Sequence, residues 1–190
     1  MSARRPYAFD EATPHPLKPE NSVQMVISLV GIGLFIAIAC NDARTRLIPN
    51  ELAIALGALG LVRILLAGDV SAALYTLTAA AAVFAIAVAL FWRGLIGGGD
   101  AKLLAASVLL LGHRSLWGFL LVMSLCGALI ALAIVAVRKL GVSPGPATPP
   151  LPRPAVQDPL QRPDRPSVPY GVAIAVGAVL ILVLQSTNPG

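Results

Sequence analysis

The sequence predicts an all-α integral membrane protein, a bundle of six transmembrane helices with a Pro-rich cytoplasmic linker before the last helix. Three observations lead there. Of 190 residues, 57% are hydrophobic and 12% charged, against roughly 25% charged in an ordinary soluble domain. The apolar residues gather in runs close to the about 20 residues that a helix needs to cross about 30 Å of hydrocarbon. The basic residues flank those runs instead of forming one stripe, so the formal charge of +5 reads as membrane topology and excludes a nucleic-acid footprint.

The runs cover residues 23–40, 52–67, 71–92, 101–112, 116–137 and 170–185. The second contains Arg63. The fourth is too short to cross unless the turn at residues 97–100 also enters the membrane. Irregular backbone is tolerated at that depth only where protein or a watery cavity covers it, so a glycine-rich turn there already hints at a site. The chain divides into an N-terminal tail (1–22), a five-helix part (23–140), a linker (141–168) and a sixth helix (169–186).

Orientation follows from the Lys and Arg residues next to the runs. Arg44, Arg46, Arg93, Lys102, Arg138, Lys139, Arg153, Arg162 and Arg165 fall on one side, which is expected to be cytoplasmic. Arg4, Arg5, Lys18 and Arg114 fall on the other, and six crossings put both termini outside. Residues 141–169 hold ten of the 16 prolines, a composition that favours extended, solvated chain; a tether is expected, with a lid or docking segment as the alternative. Cys40 and Cys126 both lie in apolar runs and read as packing residues, offering neither a disulfide framework nor a thiolate zinc site. Ala37 to Cys40 looks like a lipoprotein signal end, but the run before it is long for a cleaved leader.

Ionisable side chains at the edge of membrane helices point to function by default. Asp42 closes the first run and Asp100 opens the fourth, both at the expected cytoplasmic boundary. Either alone could be a helix-end carboxylate paired with a nearby Arg or Lys. Two at equal depth fit a proton-sharing pair, in which an ionised carboxylate draws a proton from water while its protonated neighbour polarises a carbonyl. Gly97, Gly98 and Gly99 present no side chain that would block an extended peptide, and their spacing does not match a phosphate-binding loop. Pro49 is expected in the first turn of the second helix, and Pro169, Tyr170 and Gly171 at the start of the last. Lys102 is read as a headgroup anchor, His113 as a loop residue, and Trp92 and Trp117 as an interfacial belt. Asp100 at a helix start and Asp42 at a helix end suggest unequal roles, Asp100 as base and Asp42 as acid.

Three segments carry a family resemblance. Asp42 with Arg44-Thr45-Arg46-Leu47-Ile48-Pro49-Asn50, then Gly97-Gly98-Gly99-Asp100-Ala101-Lys102, then Val168-Pro169-Tyr170-Gly171-Val172-Ala173 resemble, in that order, the conserved segments of the type IV prepilin peptidases. These belong to the GxGD-type intramembrane aspartyl proteases, and the likeness is nearest to the short peptidases of tight-adherence (Flp) pilus systems. The resemblance implies a bacterial inner-membrane enzyme with Asp42 and Asp100 catalytic. It would cleave the basic leader from a prepilin or pseudopilin whose hydrophobic segment lies in the bilayer. It also implies cleavage without methylation, and no cofactor or metal. The Pro-rich linker departs from the family pattern. Two other readings stay open: a small transporter or proton relay using the two acids, and an inactive assembly scaffold.

The topology has its own test. A cysteine introduced as Ser143→Cys should be labelled by an impermeant thiol reagent only when the cytoplasmic face is opened. Labelling from outside in intact cells would reverse the orientation.

Overall fold

The computed structural model describes residues 19–45, 48–139 and 170–187. The expectations for residues 1–18 of the N-terminal tail, the linker, Arg46, Leu47 and Pro169 lie outside those residues; residues 19–22, expected in that tail, already belong to the first helix. Within them the elements are helices: α1 (Pro19–Thr45), α2 (Asn50–Ala67), α3 (Val70–Trp92), α4 (Gly98–Leu111), a 3₁₀ turn (His113–Ser115), α5 (Leu116–Lys139) and α6 (Tyr170–Thr187). Five helices, all but α4, are long and apolar enough to cross a membrane. Their outer faces carry exposed Leu, Ile, Val and Phe, as expected where lipid is the solvent. At about 1.5 Å per residue the 14 residues of α4 span about 21 Å, short of the hydrocarbon thickness.

That short helix is the centre of the bundle. Ala101, Leu103, Leu104, Ala106, Ser107, Val108, Leu110 and Leu111 are all buried, with α2, α3 and α6 packed around them; α1 and α5 attach mainly through α6. Phe35 and Ile38 of α1, Leu56 of α2, Phe119 of α5 and Ile174 and Leu182 of α6 complete the core. Lipid tails are as apolar as leucine, so helices in a membrane gain from close backbone approach instead of from leaving water. Gly60 of α2 shows this: a Cβ there would stand 2.8 Å from the backbone of Leu109 and Leu110. Gly177 of α6 likewise lies against the backbone of Met123 in α5, where a Cβ would come within 3.1 Å.

The start of α4 differs from the sequence expectation. Residues 97–100 do not form an irregular turn; the helix reaches back to Gly98, leaving Gly97 as its N-cap in extended conformation. Asp100, at the third helical position, accepts the Gly97 N–H at 3.3 Å, the acidic half of a capping box, which lets the helix begin earlier. Pro49 is also one step off, being the N-cap of α2 and not part of its first turn.

The other end of α4 is closed by side chains. A helix leaves its last carbonyls without intrahelical donors, and unmet backbone groups away from water are costly. Gly112 N–H donates to the Val108 carbonyl at 2.9 Å, the Arg63 guanidinium of α2 donates to that of Leu110, and the Gln185 amide of α6 donates to that of Leu111 at 3.0 Å. Arg63, out of place in its apolar run, therefore serves its neighbour α4. His113 is likewise tied in, its backbone N–H donating to Thr76 Oγ1 of α3 at 3.3 Å.

Replacing Gly60 with Ala should force α2 and α4 apart, because the obstructing atoms are backbone, and destabilise the protein by about 1–3 kcal/mol. Gly57→Ala should be near neutral, since its Cβ would meet only the Ala106 Cβ at 3.8 Å. Thermal unfolding of both variants in one detergent checks the contrast.

Candidate active site

Asp42 lies in the last turn of α1, Asp100 in the first turn of α4 and Gly171 in the first turn of α6. Because α1 runs opposite to α4 and α6 across the bundle, these three helix ends meet at one end of it. Asp42 is only 5% exposed. Its Oδ2 accepts the Val172 N–H at 3.1 Å, across 130 residues of chain. A Cβ on Gly171 would stand 2.7 Å from the same oxygen and 2.8 Å from Cγ, so glycine is what allows α6 to close on the carboxylate. Asp100 lies near enough to interact electrostatically with Asp42. Two carboxylates 58 positions apart in the sequence thus lie among the same helix ends.

The helix-end asymmetry expected from the sequence does not survive. Asp42 does sit at the C-terminal end of α1, but it also faces the N-terminal end of α6 and accepts an N–H there. Asp100 accepts an N–H at the start of α4. Each acid therefore meets the positive end of a helix, and helix position alone no longer assigns one as base and the other as acid.

The glycine run has a definite structural use. A Cβ on Gly98 would stand 3.3 Å from the Phe91 ring of α3, and one on Gly99 would stand 3.2 Å from Ile48 Cβ. The space beside both glycines is thus filled by the protein itself and is not an open lane. Gly97 permits the reach-back of Asp100, whose Oδ2 would lie 3.0 Å from a Cβ there. Lys102 is engaged, its Nζ donating to Asn50 Oδ1 at 3.0 Å; instead of a free headgroup anchor it ties α4 to the start of α2, one residue after Pro49. Tyr170 is partly exposed at the head of α6. Val172, Ile48 and Asn50 lie within the resembling segments but are given no role of their own by the sequence. Val172 contributes only its backbone, so no side-chain signal could have revealed it.

No curated protein and no solved structure matches the chain. A family model described as the type IV leader peptidase family matches residues 29–132, more than half of the chain, and the matched stretch contains Asp42, Pro49, the glycine run and Asp100. With the apolar helices, this makes the molecule a multi-pass membrane protein of the peptidase class, and the chain belongs to the type IV leader peptidase family.

Proposed function

We propose that the chain is an intramembrane aspartyl endopeptidase that removes the basic leader from prepilin-like proteins, with Asp42 and Asp100 as its catalytic pair. The observation that carries this reading is the meeting of the two carboxylates at one end of the bundle, on α1 and α4, with α6 closed over Asp42. Membership of the leader peptidase family supplies the reaction class.

In the proposed reaction one carboxylate is ionised and the other protonated. The ionised group takes a proton from water as the water oxygen bonds to the scissile carbonyl carbon, and the protonated group gives its proton to the carbonyl oxygen. Collapse of the tetrahedral intermediate then breaks the C–N bond: the departing amine takes a proton from the protonated carboxyl while a hydroxyl of the intermediate returns one to the ionised carboxylate, restoring the singly protonated pair. Asp42 and Asp100 exchange protons as a unit, so their titration belongs to the pair. Gly97, Gly98, Gly99 and Gly171 act in support by letting α4 and α6 approach the acids, and Pro49 sets the start of α2 beside Lys102. We further read α4 as the sixth membrane element, both acids as cytoplasmic, and the substrate as a Flp-type prepilin or pseudopilin whose basic leader stays in the cytoplasm. Tyr170, at the head of α6, and Pro169, which precedes it in the sequence, are read as supporting residues on the substrate side.

Co-expression with a candidate Flp-type prepilin should give a faster-migrating, cleaved product. Asp42→Asn and Asp100→Asn should each reduce its formation by at least about 10²-fold, the lower range for loss of a general acid or base. Normal cleavage by either variant removes the dyad, and a proton relay or scaffold would give no mobility shift at all.

Gly171→Ala makes a finer test. The atoms in its way, Oδ2, Cγ and Cβ, all belong to the Asp42 side chain and none to backbone, so the protein should insert and fold while the carboxylate is displaced. Displacement by about 1 Å can lower a rate by about 10²-fold. Cleavage should fall on that scale with thermal stability changed little.

A further inference from the structure

At the opposite end of the bundle from Asp42 and Asp100 lies a cavity of about 280 Å³, lined by parts of α1, α2, α3, α4, α6 and the 3₁₀ turn. Arg63 and Arg114 contribute to its wall, and Asp69 is its carboxylate. Charges of both signs therefore border one space.

Arg63 is held against the end of α4 by the Leu110 carbonyl. Its planar guanidinium carries further N–H donors, and among the described residues it forms no ion pair. The α4 C-terminus offsets only about half a charge. A full positive charge in an otherwise apolar run is costly without a counter-ion. Arg114 adds a second cation at the exposed rim. Asp69 is fixed in place: its Oδ1 accepts from Ser71 N–H at 3.0 Å, Ser71 Oγ at 2.6 Å and Ala72 N–H at 3.1 Å, which caps α3. The Ser71 hydroxyl and the Ala72 N–H hold its carboxyl below the usual carboxylate range, and the Arg114 charge adds to this. The space thus has an anion-seeking wall at Arg63 and Arg114, and a cation-seeking edge at the Asp69 carboxylate.

At the same helix ends, in the last turn of α2 and the first turns of α3, Leu65, Leu66, Val70 and Leu74 are exposed. Those residues suit acyl chains, while the depth, at the ends of the apolar helices, suits headgroups. We propose that this cavity binds a phosphate that carries a nearby primary ammonium, the headgroup chemistry of phosphatidylethanolamine, with the phosphate on Arg63 and Arg114 and the ammonium on Asp69. A guanidinium fork matches phosphate oxygens, and an ammonium that still bears hydrogens can donate to the Asp69 carboxylate.

The full chain, purified in detergent, is to be titrated separately with short-chain phosphatidylethanolamine, phosphatidylglycerol, phosphatidylcholine and soluble phosphoethanolamine, with thermal unfolding as the readout. Phosphatidylethanolamine should raise the melting temperature at the lowest concentration. Phosphatidylglycerol lacks the ammonium and phosphatidylcholine lacks its hydrogens, so both should need at least about tenfold more, as loss of a charged hydrogen bond implies. Arg114→Gln should weaken the phosphatidylethanolamine response about tenfold or more, and Asp69→Asn, which keeps the α3 cap, should abolish the preference over phosphatidylglycerol. Arg63→Gln should act like Arg114→Gln; if it fails to fold, the two rim variants decide. A shift given equally by soluble phosphoethanolamine identifies a small-molecule source for the same chemistry. Equal responses to all three lipids, or responses unchanged in both rim variants, overturn the proposal.

Discussion

A helix too short to carry its ends to water has to find partners for them inside the protein, and α4 imposes that demand on the whole bundle. Its first turn is closed by its own Asp100 reaching back to Gly97. Its last turn is closed by Arg63 from α2, Gln185 from α6 and the Gly112 N–H. These contacts fix the height of α4 relative to α2 and α6. Because Asp100 lies on the same rigid rod, they also fix the level at which its carboxylate stands. Polar side chains in apolar helices thus serve the site from its far end, without touching it.

Small residues set the lateral distances. Gly60 brings the α2 backbone against α4, Gly177 brings α6 against α5, and Gly171 brings α6 onto Asp42. In hydrocarbon such approaches replace the hydrophobic gain that holds soluble bundles together. They leave the catalytic candidates no freedom to drift apart: Asp42 is pinned by the Val172 N–H and Asp100 by the Gly97 N–H. A pair of acids that must share a proton depends on such fixed separation more than on the strength of any single hydrogen bond.

The family match ends at residue 132, yet one wall of the site comes from α6, which begins at Tyr170. The matched part therefore supplies both acids but not the helix that closes over Asp42. The Pro-rich stretch in between separates α6 from its neighbours in sequence, while contacts with α1, α4 and α5 return it to the bundle. Variation in the connection is compatible with a constant site because the position of α6 is set by packing.

Much of the molecule was legible in its sequence. The apolar runs fixed the number and order of the helices, since helix formation in lipid is a local obligation of each segment's own backbone. Asp42 and Asp100 were conspicuous because charge is rare in such segments, and their motifs were enough to point to the peptidase family. What the sequence left open was which groups meet. Arg63 was visible as an anomaly, but its partner at Leu110 lies 47 residues away. Lys102 looked like a surface anchor until Asn50 was found beside it, and the glycines looked like open space until Phe91 and Ile48 were found to fill it. Helix position alone could not assign unequal roles, because α6, distant in the chain, presents its own N-terminus to Asp42. Local pattern determines each helix and its charges; only tertiary packing decides which helix ends face each other, because the fields and hydrogen bonds at a site are sums over segments that the sequence keeps apart.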